Sequence, residues 1–196
     1  MNQPTGRRER KLQQTAEKLV KTAWSLFEER GFEHVTMEAI AEKADVAKGT
    51  LYKHFPVKEA LLQQAFHTEL QQEKPQLMQQ LEQIPAGMPR MRAFFKISAD
   101  WSEQRRHYLP YYLRFRMNAR DVTNPGRSGT DQIFSMLIEA GIENGDFRDN
   151  LPLESSVHYL SFLYLGALLR WLNDSESPLM EELDRMLGLF LNGVQN

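Results

Sequence analysis

The sequence predicts an all-α chain of about nine helices, on three features. Apolar residues recur at helical spacing along nearly all of the 196 residues. Strand-like alternation of useful length is absent, and so is any internal repeat. Turn chemistry falls between the periodic stretches, at Gly31, at Pro85-Ala86-Gly87-Met88-Pro89 and at Gly145-Asp146.

The first helix is expected over Leu12 to Arg30, because Ala16, Leu19, Val20, Ala23, Leu26 and Phe27 form one apolar stripe. Gly31 is expected to stop it in a left-handed conformation. Thr36 then suits an N-cap, its hydroxyl able to satisfy an orphan N–H at the start of a helix running Met37 to Ala44. Ile40, Ala41 and Ala44 of that helix face inward. Asp45-Val46 breaks the period, and a second short helix follows from Ala47 to Phe55 with Leu51 and Phe55 on one buried face. Two short helices and a tight turn in so few residues make a helix-turn-helix, whose second helix enters the major groove of DNA. Its exposed face carries Lys48, Thr50, Tyr52, Lys53 and His54, a set of cations, hydroxyls and an imidazole suited to phosphates and base edges.

A long helix is expected from Val57, carrying Leu61, Leu62, Ala65, Phe66 and Leu70, with a kink or an early end at Pro75. It is expected to be the only covalent link between the two halves. Beyond the break at 85–89, helical patterns run from Arg90 to Gln104, Tyr108 to Arg120, Gly129 to Asn144, Leu153 to Leu172 and Leu179 to Asn192. The helix from Leu153 is apolar almost all round and must be covered on most sides. With the last helix it offers more apolar surface than one subunit readily covers, and Gly166 would let another backbone approach.

Composition narrows the function classes. Cysteine is absent, which rules out disulfides and thiolate metal sites. His34, His54, His67, His107 and His158 show no metal-ligand spacing, and neither a Gly-rich phosphate loop nor a G-x-S-x-G nucleophile motif occurs. The expectation is a protein without catalytic residues, cofactor or metal. A run of some 18 apolar residues is lacking, and Met1 to Lys11 has no apolar signal core, so a cytoplasmic protein with no membrane partner is expected. Net charge is −2, yet residues 1–60 hold 11 Lys and Arg against 9 Asp and Glu, while 61–196 hold 13 against 17. Arg7, Arg8, Arg10 and Lys11 concentrate the basic excess ahead of the first helix, as an arm that reaches phosphates or a minor groove, or as a solvated tail.

Gly31-Phe32, Val35-Thr36, Ile40-Ala41, Val46, Gly49-Thr50-Leu51-Tyr52, His54-Phe55 and Lys58-Glu59-Ala60-Leu61 together resemble the N-terminal domain of TetR-family transcriptional repressors. The resemblance covers about the first 65 residues; the rest agrees in length and helical character. It implies a DNA-binding domain over 1–60 and an effector-binding and dimerisation domain over 61–196. It also implies that Lys48, Gly49, Thr50, Tyr52, Lys53 and His54 face a double-stranded operator while Thr36 and Lys58 clamp phosphates. Met37 departs from the polar residue relatives often carry there, and Pro56-Val57 from the short polar residue common before the lysine. The last two helices would pair with their symmetry mates in a homodimer, with Leu168 and Phe190 as candidate interface residues.

The resemblance further implies a small-molecule effector held in the middle helices, with Trp101, Tyr108, Tyr112, Phe115, Arg116, Phe134, His158 and Phe162 as candidate contacts. Tyr112, Phe115 and Phe162 are expected to line one cavity. Arg114, Arg116 or His158 turned inward would favour an anionic ligand; periodicity leaves their direction open. The implied function is a repressor released from its operator by the effector, the alternative being control by a protein partner.

Overall fold

The computed structural model describes residues 6–118, 129–173 and 176–194. Nine helices occur among them: α1 (Arg7–Arg30), α2 (Met37–Lys43), α3 (Lys48–His54), α4 (Lys58–Glu82), α5 (Met88–Gln104), α6 (Leu109–Asn118), α7 (Thr130–Glu143), α8 (Leu153–Asn173) and α9 (Leu179–Val194). The chain divides into two compact units, Met1–Glu69 with Tyr111–Asn118, and Leu70–Pro110 with Ala119–Asn196. The boundary expected after residue 60 therefore lies inside the first unit. Because residues 111–118 belong with the first unit, α4 is not the only link between the two.

In the first unit the expected stripe of α1 packs as Leu19, Val20, Ala23, Leu26 and Phe27, all buried. Helix α1 begins at Arg7 rather than Leu12. Arginine, glutamate and lysine are good helix formers, and Arg10 N–H donates to Gly6 C=O at 3.1 Å, so the basic cluster is helical and not an arm. Gly31 has φ +79 and its N–H closes on Phe27 C=O at 2.9 Å, but ψ is 148, so the chain turns through an extended glycine conformation and not the left-handed cap expected. Thr36 caps α2 as expected, accepting Ala39 N–H at 3.1 Å. Between α2 and α3, Asp45 takes φ +50, a region that only short polar side chains tolerate among non-glycine residues. Ile40, Ala41, Ala44 and Leu51 then close under α1, with Phe55 and with Leu61, Leu62 and Phe66 of α4 also buried.

Pro75 does not end α4 early: the helix runs on to Glu82. Gln71, Gln72, Glu73, Pro75 and Gln76 are exposed, so the carbonyl that loses its partner is hydrated there and the penalty is reduced. Arg120 of the expected sixth helix lies outside the described residues.

In the second unit Phe94 and Phe95 of α5, Phe134 of α7 and Tyr164 of α8 form an aromatic cluster with centroids 5.3–5.9 Å apart. Turn residues between α7 and α8 are fixed by Phe147, buried against Gly141, where an added Cβ would meet the ring at 2.3 Å. Leu160, Ala167, Leu168 and Trp171 of α8 meet Leu179, Leu183, Met186, Leu187, Phe190 and Leu191 of α9 in one core. Leu168 and Phe190, 5% and 7% exposed, are thus internal, which corrects their expected place in an interface. Glu182 is buried between two arginines, Arg170 at 3.2 Å and Arg185. The open face of these helices carries Tyr159, Phe162 and Leu163 on α8 and Leu189 on α9.

Candidate nucleic-acid interface

Helix α3 owes its orientation to one residue. Leu51 is fully buried, which stabilises the helix by roughly 1.5–3 kcal/mol and turns positions 48, 49, 50, 52 and 53 to solvent. Lys48, Gly49, Thr50, Tyr52 and Lys53 are exposed and His54 half-buried. Lys53 and His54 line a shallow groove with Leu12, Gln13 and Ala16 of α1, directly after the basic turns at Arg7 to Lys11.

Gly49 is informative because nothing inside the chain requires it. A Cβ there would meet no atom within 4 Å, and glycine in a helix costs about 1 kcal/mol relative to alanine. A residue that weakens its helix without an internal reason fits close approach by an outside surface.

Tyr52 is 44% exposed and its hydroxyl donates to Glu38 Oε1 at 3.2 Å. Partial burial pushes the phenol pKa up, and the Glu38 carboxylate adds to the shift. Sequence reasoning does not single out Glu38. It stands 14 positions from Tyr52, on another helix, and no spacing rule joins the two. Thr36 accepts the α2 cap bond and keeps its hydroxyl proton for an outside acceptor.

Lys58 has a different place from the one expected. Its ammonium donates to the carbonyls of Phe32 at 2.7 Å, Glu33 at 3.2 Å and Val35 at 3.2 Å, and lies 4.5 Å from the Phe32 ring centroid. All three donor hydrogens are used inside the unit. Lys58 therefore braces the turn between α1 and α2, and a phosphate clamp would have to break this arrangement. Tyr111 of α6 reaches the same turn, its ring 4.4 Å from Phe32 and its hydroxyl 2.5 Å from Glu33 Oε1.

The eight effector candidates fall in both units. Tyr112, Phe115 and Arg116 belong to the first unit, where Tyr112 is buried beside Phe66 at 5.1 Å and receives a hydrogen bond from Arg116 at 3.3 Å. Trp101, Tyr108, Phe134, His158 and Phe162 belong to the second. Phe134 is fully buried in the aromatic cluster and packs as core. Phe162, 49% exposed, stacks edge-on with exposed His158 at 4.8 Å on the open face of α8. Trp101 and Tyr108 are half-buried, with Arg105 4.5 Å above the Trp101 ring. Ser98 and Tyr164, joined through their hydroxyls at 2.5 Å, escape sequence reasoning, since serine on an apolar helix gives little signal. No cluster of three or more metal-ligating side chains occurs among the described residues, and none of their helices is long and apolar enough to cross a membrane.

Comparison with known proteins places this geometry. Residues 19–65, from the buried stripe of α1 into α4, match the model of bacterial regulatory proteins of the TetR family. Over 54 residues the chain is 44% identical to the regulator TcmR of Streptomyces glaucescens, covering 28% of this chain and 24% of TcmR. It thus spans only about a quarter of that relative. Over 147 residues it is 29% identical to the repressor KstR of Mycolicibacterium smegmatis, covering 72% of this chain and 69% of KstR. The structure of Thermus thermophilus FadR, a TetR-family transcriptional repressor in complex with lauroyl-CoA, superposes with a TM-score of 0.80 at 26% identity, covering 91% of this chain and 94% of FadR. Residues 19–65 thus carry the DNA-binding domain of the TetR family of bacterial regulatory proteins, and the all-helical chain as a whole shares the fold of a TetR-family repressor.

Proposed function

We propose that this protein is a homodimeric transcriptional repressor that reads double-stranded operator DNA through α3 and leaves it when an acyl compound binds. The observation that carries the reading is the exposed face of α3, where Lys48, Thr50, Tyr52 and Lys53 surround a glycine the fold does not need. Cations and hydroxyls on a helix narrow enough for the major groove supply both phosphate and base contacts. Thr36 adds a hydroxyl at the start of α2.

Dimerisation is supported by the open face of α8 and α9. Tyr159, Phe162, Leu163 and Gly166 follow i, i+3, i+4, i+7 spacing, and a Cβ at Gly166 or Gly188 would meet nothing within the chain. Leu189, 73% exposed, is costly to leave in water. A second copy covers this stripe in a four-helix arrangement, and the dimer brings two α3 helices to one operator.

The acyl effector is supported by the lauroyl-CoA complex of Thermus thermophilus FadR. An effector that prefers the conformation unable to bind DNA lowers operator affinity by that same preference. The test uses a duplex selected from a random pool by the purified protein, with binding followed by fluorescence anisotropy. Adding lauroyl-CoA should weaken binding at least tenfold. If no duplex is enriched, or lauroyl-CoA leaves affinity unchanged, the corresponding half of the proposal fails.

A further inference from the structure

We infer that Arg116, backed by Tyr112 and His67, seats the anionic group of the effector. This rests on the acyl-effector reading above and adds to it the charge of the ligand and the residue that meets it. Arg116 is half-buried on α6, and its Nη1 donates to the Tyr112 hydroxyl at 3.3 Å while its guanidinium carbon lies 5.7 Å from that ring. Among the described residues no carboxylate pairs with it, although Arg92, Arg170 and Arg185 elsewhere in the chain each have one. A guanidinium has five N–H donors in a planar fork, and a single one is engaged in this contact.

The surroundings favour an anion over a neutral group. Leu109 to Asn118 contains Arg114 and Arg116 and no acidic residue. Tyr112 is buried, its ring packed on Phe66 and edge-on to His67, and its hydroxyl lies 3.4 Å from His67 Nε2. The hydroxyl is thus held in place from both sides and fixes the guanidinium from below. A charge drawn partly out of water keeps its desolvation cost until an opposite charge arrives, so an incoming carboxylate or phosphate gains what none of the described residues supplies. The planar fork also matches both of those anions in bidentate fashion.

Carboxylate and phosphate are the two sources of that charge in an acyl effector, the first in a free fatty acid and the second in a coenzyme A ester. Laurate, lauroyl-CoA and 1-dodecanol share a twelve-carbon chain and separate the sources. Equilibrium binding of each to the full chain is to be measured for wild type, Arg116→Gln and Arg116→Lys, with thermal unfolding checking that the variants fold. Wild type should bind one of the two anionic compounds at least tenfold more tightly than 1-dodecanol. Arg116→Gln should abolish that preference, and Arg116→Lys, which keeps the charge but not the planar fork, should keep only part of it. Loss of affinity for laurate alone assigns a carboxylate to the seat; loss for lauroyl-CoA alone assigns a phosphate. Wild type binding all three equally, or Arg116→Gln keeping the anion preference, overturns the inference while the acyl-effector reading stands. If wild type binds none of the three, the acyl-effector reading fails and the inference falls with it.

Discussion

Replacing Lys58 with methionine tests whether this residue braces the protein or grips DNA. Methionine keeps most of the stem's length and removes the ammonium. Two of the three bonds lost, to Phe32 and Val35, are partly buried and worth about 1 kcal/mol each; the exposed bond to Glu33 and the ring contact with Phe32 add about 0.5 kcal/mol each. The turn should therefore be weakened by about 2–3 kcal/mol, part of the gross sum being returned as water reaches the carbonyls. The assay is native-state hydrogen exchange at Ile40 and Ala44, whose N–H groups close α2 onto Thr36 and Ile40. A loss of about 2 kcal/mol corresponds to exchange about 30-fold faster. A phosphate clamp would behave differently, leaving protection intact and reducing the slope of log affinity against log salt by about 0.9. Unchanged protection with a reduced slope would refute the bracing role.

Other consequences are as direct. Tyr52→Ala and Lys48→Ala should each weaken binding to a selected duplex by about 1–3 kcal/mol if they meet bases, with thermal unfolding unmoved because both side chains are exposed; unaltered affinity in both would take them off the reading surface. Leu163→Glu combined with Leu189→Glu should give a folded monomer in sedimentation, since both side chains point out of the chain, whereas Leu168→Glu should unfold it by burying a charge; a persisting dimer in the double variant would move the interface elsewhere. Asp45→Val should cost about 1–2 kcal/mol in denaturant unfolding, because a β-branched side chain resists the φ of +50 found there, and Asp45→Gly should cost nothing or stabilise.

The first 60 residues are legible in the sequence because short-range chemistry controls them. Thr36 as a cap, Asp45-Val46 as a break and Leu51 with Phe55 as the buried pair follow from neighbours within a turn or two, and the structure has each of them. Lys58 is illegible for the complementary reason. The carbonyls that hold it lie 23 to 26 positions earlier, so nothing local distinguishes a buried brace from a solvated cation. Tyr52 with Glu38 and Tyr111 with Glu33 are hidden in the same way. Pro75 reads as a breaker on its usual penalty, whereas the exposure of its neighbours lowers that penalty. The apolar character of α8 is plain, but a fully apolar sequence does not say which face the chain's own α9 covers. Leu168 is internal, the reverse of its expected place in an interface. For the effector candidates, period places Tyr112 and Phe115 on one helix face but does not say which elements stand opposite them.

The central claim is that the outer face of α3 reads a DNA sequence. It is tested most directly by the ratio of affinities for a selected duplex and a scrambled duplex of the same length, measured at one fixed salt concentration for wild type and for the Lys48→Ala, Tyr52→Ala double variant. The predicted ratio is about a thousand or more for wild type, falling at least tenfold in the double variant while affinity for the scrambled duplex changes little more than loss of one cation requires. A wild-type ratio near one, or a ratio the double variant preserves, would contradict the claim.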